Sequence, residues 1–196
     1  MICLYTKNLD GVWFGVACDD KEIFATSFAS TKEPALRGLL SGIPVDVPFQ
    51  GFDKPSVFGE RAIAALKDVY DGVDVTESLP LATGRLSEYF RRVIRVTSLI
   101  PVGYVASYGS VAKAAGGSPR AVGRVMASNP FAPIVPCHRV VCSDFSLGGY
   151  GGGLDVKLAF LRREKRGYSA KREISVNGKK LEVFPVESVL KRLGKG

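Results

Sequence analysis

Pro136-Cys137-His138-Arg139-Val140 places a thiol directly before the chain's only histidine. A thiol attacks carbon only as the thiolate, and a linked imidazole with nearby arginines would supply the base and the positive charge that favour ionisation. The approach, Asn129-Pro130-Phe131-Ala132-Pro133-Ile134-Val135-Pro136, is apolar and stiffened by proline, so Cys137 should sit at a defined position rather than on a mobile loop. Taken alone, a Cys-His pair is more often a small core residue beside a satisfied imidazole, so the elements around it must decide. A single histidine rules out most His-rich metal sites. Cysteines at 3, 18, 137 and 142 are too few and too scattered for a disulfide scaffold, which favours a reducing, intracellular compartment.

Upstream, Ser107-Tyr108-Gly109-Ser110-Val111-Ala112-Lys113-Ala114-Ala115-Gly116-Gly117-Ser118-Pro119-Arg120 reads as a short helix starting near Ser110 and ending at the glycines. Ser118 and Pro119 then supply the N-cap and first residue of a second helix. Two short helices joined by a tight glycine turn make a helix-turn-helix. On the second, Ala121, Val122, Val125 and Met126 form an inner stripe, and Arg120, Gly123, Arg124, Ala127 and Ser128 an outer one. Apart from its two arginines that outer face is small, which lets a backbone approach a nucleic-acid groove. The same pattern also occurs in ordinary helix packing.

Before this motif, Leu86, Tyr89, Phe90, Val93 and Ile94 mark an amphipathic core helix. The N-terminal part reads as a β-meander, Ile2–Tyr5, Val12–Cys18 and Ile23–Phe28, followed by helices over Glu33–Leu40 and Gly59–Tyr70. Asp71–Pro80 is the expected linker. Near the end of the chain, Asn177-Gly178 between alternating segments signals a type I′ hairpin. These elements give three parts: 1–80, 81–170, and a hairpin extension over 171–196.

The net charge of +8 divides unevenly. Residues 1–80 carry 7 basic and 12 acidic side chains, and residues 81–196 carry 20 and 7. A basic half joined to an acidic one suggests a polyanionic partner met by one end of the molecule, nucleic acid first among them, against the plainer alternative of a solvated basic surface. Apolar runs are far shorter than the ~20 residues that span a bilayer, so no membrane is expected. Met1–Lys7 lacks the layout of a signal peptide.

Pro136-Cys137-His138-Arg139-Val140 resembles the active-site motif of the O6-alkylguanine-DNA alkyltransferases. The likeness runs from Ser107-Tyr108 through Arg120-Ala121-Val122-Gly123, Met126 and Asn129-Pro130 to Gly148-Gly149-Tyr150-Gly151-Gly152-Gly153-Leu154 and Glu164. It implies an α+β fold, with a ribonuclease-H-like sheet-plus-helix domain before a mostly helical, winged-helix-like domain. It further implies irreversible, single-turnover transfer of an alkyl group from O6-alkylguanine in double-stranded DNA to Cys137, after the base is flipped out. The helix-turn-helix would use the minor groove, with Ala121, Gly123, Arg124, Met126 and Ser128 near DNA and Arg120 replacing the extruded base.

By the same resemblance His138 acts on Cys137 through a water and Glu164 orients the imidazole. Tyr108 serves the phosphate and the guanine ring nitrogen. The carbonyls of Cys137 and Val140 accept the exocyclic amine, Tyr150 and the Gly151 amide close the pocket at O6, and Asn129 braces the turn carrying Cys137. No cofactor and no metal are expected, because Cys3 and Cys18 alone cannot make a four-ligand zinc site. A monomer in the cytoplasm, nucleoid-associated in a prokaryote, completes the expectation. Gly151 stands where the family often has serine, which should widen the pocket. Two other classes compete: a lesion-recognition DNA-binding protein without transfer, and a thiol hydrolase using Cys137 and His138.

Overall fold

The computed structural model describes residues 1–75 and 79–194, so three residues of the expected linker, 76–78, lie outside the described residues. The chain is mixed α+β, with two four-stranded mixed sheets and seven α-helices among the described residues. It divides into two compact units. The first holds residues 1–70, 75–85 and 130–134, and the second 71–74, 86–129 and 135–196.

In the first unit, β1 (Ile2–Leu9), β2 (Val12–Cys18), β3 (Ile23–Ala29) and β4 (Phe49–Gly51) form a sheet in the order β3-β2-β1-β4. β1 runs to Leu9, beyond the expected Tyr5, because Asp10 and Gly11 take positive φ (53° and 82°) and make the tight turn themselves. β2 is buried from Phe14 to Cys18 without alternation, as a strand covered on both faces must be. Helix α1 (Lys32–Gly42) packs Leu39 against Ala17 on one face. Helix α2 (Val57–Tyr70) brings the Tyr70 ring edge-on to Phe14, 5.3 Å away, on the other. Cys3 and Cys18 stand opposite each other in register, and both thiols are free.

The second unit opens with α3 (Glu88–Ser98), whose N-terminus is capped by the Ser87 hydroxyl accepting from the Phe90 amide at 3.2 Å. β5 (Tyr104–Ser107) then leads into α4 (Tyr108–Ala115) and α5 (Pro119–Ala127). The first of these two helices starts at Tyr108, two residues earlier than expected, because Ser107 is its N-cap and accepts from the Ser110 amide at 3.0 Å. Ser118 caps α5 as its sequence requires. Gly117 lies in the turn between them at φ 99°, where a Cβ would meet the Tyr89 ring at 2.7 Å, so only glycine fits.

A single 3₁₀ turn, Cys137–Arg139, joins this helical pair to β6 (Val140–Val141). Helix α6 (Leu154–Arg163), the hairpin β7 (Arg172–Val176) and β8 (Lys179–Pro185), and helix α7 (Val186–Arg192) follow. Asn177 and Gly178 have positive φ (48° and 77°), as the Asn-Gly pair predicts for a type I′ turn. The strand order is β6-β5-β8-β7, with β6 parallel to β5. Val105, Val141, Leu158, Leu161, Val186 and Val189 fill the core behind it. No helix among the described residues is long and apolar enough to cross a membrane.

Candidate active site

Cys137 opens the 3₁₀ turn, which is held by two local hydrogen bonds: the Cys137 amide to the Val135 carbonyl at 2.8 Å and the Arg139 amide to the Pro136 carbonyl at 2.9 Å. Asn129 Nδ2 donates to the same Val135 carbonyl at 3.0 Å, so its side chain ties the end of α5 to this turn. Cys137 is 6% exposed and borders a cavity of about 600 Å³ within the second unit. Tyr108, Arg120, Gly123, Met126, Tyr150 and Gly151 border it as well. Seven of the expected site residues, Cys137 included, therefore meet at one opening.

The others are placed around it. Ala121 is half-buried on α5, Arg124 and Ser128 are exposed there, and Val140 is buried at the start of β6. Gly151 has nothing within 4 Å of the place its Cβ would take, so this wall is open where a side chain could stand. The Tyr108 hydroxyl donates to the Gly149 carbonyl at a long 3.4 Å.

Behind the cavity, His138 and Glu164 are fully buried. His138 Nε2 lies 2.8 Å from Glu164 Oε1, and its ring stacks on Phe160 at 4.5 Å between centroids. Burial alone would raise the Glu164 pKa, but the charges and hydrogen bonds of His138 and Arg139 overcome it and hold it at about 2. An ionised carboxylate can only accept, so Nε2 carries the hydrogen and Nδ1 keeps its lone pair. That Nδ1 is buried without a hydrogen-bond partner among the described residues. It is a proton acceptor held in place through Nε2 and engaged by none of the described residues. Burial also pushes the imidazole pKa down, partly offset by Glu164.

Two basic side chains complete the cluster: Arg139, which the sequence suggested as support for the thiolate but which pairs with Glu164 instead, and Lys157, which sequence reasoning passed over. Arg139 donates to Glu164 through Nε (3.1 and 3.0 Å) and Nη2 (2.9 Å), and through Nη1 to the Ile100 carbonyl at 2.7 Å. Lys157 is fully buried, with Nζ donating to the carbonyls of Val140 (2.7 Å), Leu147 (2.5 Å) and Gly149 (3.2 Å). One lone pair of the Val140 carbonyl is thus already engaged. The signal was available: Lys157, Phe160, Leu161 and Glu164 fall at i, i+3, i+4 and i+7, which puts both charged residues on the apolar stripe of α6.

These placements decide the electrostatics of the thiol. Burial pushes the Cys137 pKa up, while a hydrogen bond between the Asn129 side chain and the thiol, the Lys157 charge and the local amides oppose the rise. The cationic support comes from Lys157, because Arg139 is committed to Glu164. Lys157 is itself brought down to about 8 by burial, against the pull of Cys137 and Cys142. Counting Glu164 as one negative charge and Arg139 and Lys157 as one positive charge each leaves the buried cluster one negative charge short. A Cys137 thiolate would complete it.

Residues 88–166 match the family model described as 6-O-methylguanine DNA methyltransferase, DNA binding domain. The methylated-DNA–protein-cysteine methyltransferase of Methanothermobacter thermautotrophicus is 37% identical over 127 residues, which are 64% of this chain and 70% of that protein. The chain belongs to the methylated-DNA–protein-cysteine methyltransferase family. Among solved members, Mycobacterium tuberculosis O6-methylguanine methyltransferase is similar at a TM-score of 0.65 and 27% identity, covering 87% of this chain and 96% of that one. The same organism's protein in complex with DNA gives a TM-score of 0.64 at 25% identity, covering 83% and 92%. The family match spans every residue of the buried cluster: Cys137, His138, Arg139, Lys157 and Glu164.

Proposed function

We propose that this protein repairs DNA by transferring the alkyl group of O6-alkylguanine to Cys137, once and irreversibly. The observation that carries the reading is the Cys137 thiol at the wall of a cavity large enough to take a base, backed by a buried imidazole whose Nε2 is fixed and whose Nδ1 is free. A base inside a duplex cannot bring O6 to such a recessed sulfur, so it must be flipped out.

In the resting cavity burial keeps both the thiol and the imidazole neutral. As the alkyl carbon approaches, the thiol proton passes to His138 Nδ1 through a bridging water, and Glu164 stabilises the imidazolium at Nε2. The thiolate attacks that carbon in line with the C–O6 bond. A C–S bond forms, the C–O6 pair departs with guanine, the Tyr108 hydroxyl donates a hydrogen bond to the ring nitrogen where charge accumulates, and the proton taken up by the imidazole is released through water to leave guanine neutral. Lys157 compensates the sulfur charge until it is spent. The Cys137 carbonyl and the remaining lone pair of Val140 receive the exocyclic amine, and Tyr150 with the Gly151 amide faces O6. A thioether is a poor electrophile and holds no acyl group for water to attack, so the sulfur is not regenerated.

Duplex DNA is the partner, met through the minor groove by α5. Its small outer face, Gly123, Ala127 and Ser128, allows close approach, while Arg120 fills the vacated stack and Arg124 meets a phosphate. Ala121 and Met126 support that face. In this reading residues 1–80 are a ribonuclease-H-like domain, 81–170 a winged-helix-like domain that binds DNA and accepts the alkyl group, and 171–196 an extension. The protein works as a monomer in the cytoplasm.

Intact mass after mixing with a duplex carrying O6-methylguanine tests the central claim. The mass rises by one methylene per chain, and Cys137→Ser abolishes the gain. Tight binding with no mass change would instead mark a lesion-recognition protein, and repeated turnover of an ester without DNA would mark a hydrolase.

A further inference from the structure

The β7–β8 hairpin takes no part in the chemistry above, yet its tip reaches the helix-turn-helix. β8 pairs with β5 only at Phe184 and Pro185, so the rest of the strand runs on beside α4, burying Leu181 and Val183. The Asn177-Gly178 turn then delivers Lys179 to the far end of α4. There its ammonium lies 4.0 Å from the place a Cβ on Gly116 would take, and Gly116 opens the turn between α4 and α5.

The hairpin's other cations are committed. Lys180 pairs with Glu173 at 2.8 Å and Lys171 with Glu182 at 3.0 Å. The Arg172 guanidinium sits 4.7 Å from the centre of the Tyr104 ring and 5.5 Å from that of Tyr168. The Lys179 side chain, in contrast, is exposed with no hydrogen-bond or ion-pair partner among the described residues. Lys113, three residues before Gly116 on α4, is in the same state, as are Arg120 and Arg124 on α5. Lys113, Lys179, Arg120 and Arg124 thus carry charges without a partner among the described residues, on or beside the helix-turn-helix, and a polyanion would compensate them.

We propose that Lys113 and Lys179 flank the Gly116–Gly117 turn as a phosphate clamp, gripping the backbone of the duplex whose groove receives α5. The hairpin is then a DNA-binding element in addition to its place in the sheet. The proposal rests on the reading that α5 faces the duplex. The clamp carries no sequence or lesion information, because it meets phosphates alone, and it strengthens binding to damaged and undamaged duplex alike.

Fluorescence anisotropy of an unmodified duplex, titrated with salt, tests it. Each phosphate contact contributes roughly 0.9 to the slope of log affinity against log salt. Lys113→Ala with Lys179→Ala should lower the slope by nearly two and weaken binding several-fold per lysine, with an unchanged melting midpoint. Lys179→Arg should keep the slope. Acylation of the Lys179 amine, followed by mass spectrometry, should slow when duplex is present. An unchanged slope in Lys179→Ala together with an unchanged labelling rate overturns the clamp. Arg124→Ala separates the two levels: if it loses affinity while the lysine variants do not, the clamp fails alone. If neither matters, the assignment of the DNA face fails with it.

Discussion

Replacing Glu164 by Gln gives the most direct measure of what the buried cluster contributes. The carboxylate receives hydrogen bonds from His138 Nε2 and from Arg139 Nε and Nη2, in a position with no exposure. Gln offers one acceptor oxygen and an NH₂ group that opposes a guanidinium donor, and it leaves the Arg139 charge buried without its partner. Breaking a buried ion pair in this way costs about 3–5 kcal/mol. An independent route gives a similar size. A carboxyl whose pKa falls from 4.5 to about 2 on folding contributes roughly 3 kcal/mol at neutral pH. Because the folded value is the lower one, this stability is present above 4.5 and is lost as pH falls toward 2. Urea unfolding at a series of pH values should therefore show Glu164→Gln less stable by about 3–5 kcal/mol at pH 7, a drop in melting midpoint of roughly 6–20 °C. The gap should narrow as the wild type is acidified below pH 4.5. A variant within about 1 kcal/mol of wild type at neutral pH, or a gap independent of pH, would refute the claim that this carboxylate is the counter-charge of the cluster.

Lys157→Met should slow alkylation of Cys137 by free O6-benzylguanine by roughly 10- to 100-fold, as loss of a buried charge near a developing thiolate implies, and should move the pH–rate profile upward; an unchanged profile would remove Lys157 from the chemistry. Acidification below pH 6.5 should begin to destabilise the wild type before Glu164 titrates, because the unfolded His138 takes a proton that the buried ring resists; a stability plateau down to pH 4.5 in urea unfolding would contradict this. Arg120→Ala should weaken repair of duplex DNA far more than transfer from free O6-benzylguanine, since only the duplex has a stack to fill, and equal losses in the two mass assays would argue against that role. Gly151→Ser should fold with stability within about 0.5 kcal/mol of wild type, because its Cβ meets nothing within 4 Å; it should slow benzyl transfer more than methyl transfer, and an equal effect on both would place the residue away from the alkyl group.

Much of the positioning framework was readable from local chemistry. Ser118-Pro119 started α5 where caps and proline direct, and Asn177-Gly178 made its turn, because each signal acts within a few residues and needs no distant partner. β4 carried no such signal: Phe49–Gly51 is exposed, three residues long, and becomes a strand only through parallel pairing with β1. The buried cations were hidden for a different reason. A lysine or arginine reads as surface until the carbonyls or carboxylate that receive it are located. The carbonyls around Lys157 come from β6 and the glycine loop, eight to seventeen residues away in sequence. The carboxylate around Arg139 lies 25 residues on. Glu164 was joined to Cys137 and His138 only by the family resemblance, since alone before Lys165 and Arg166 it reads as a surface charge, whereas the charge count that leaves room for a thiolate needed all five side chains together.

The strand order has a consequence for biosynthesis. β5, which leads directly into Tyr108, is flanked by β6 on one side and β8 on the other, and β8 is made only after the whole reactive cluster has been translated. A nascent chain that has just cleared the ribosome through Glu164 therefore holds β5 with one flank bare and lacks Leu181, Val183, Val186 and Val189 from its core. Such an exposed edge is a template for pairing with the wrong chain. A chain ending before β8 would therefore carry every atom of the buried cluster without the strand and core side chains that complete the sheet around β5.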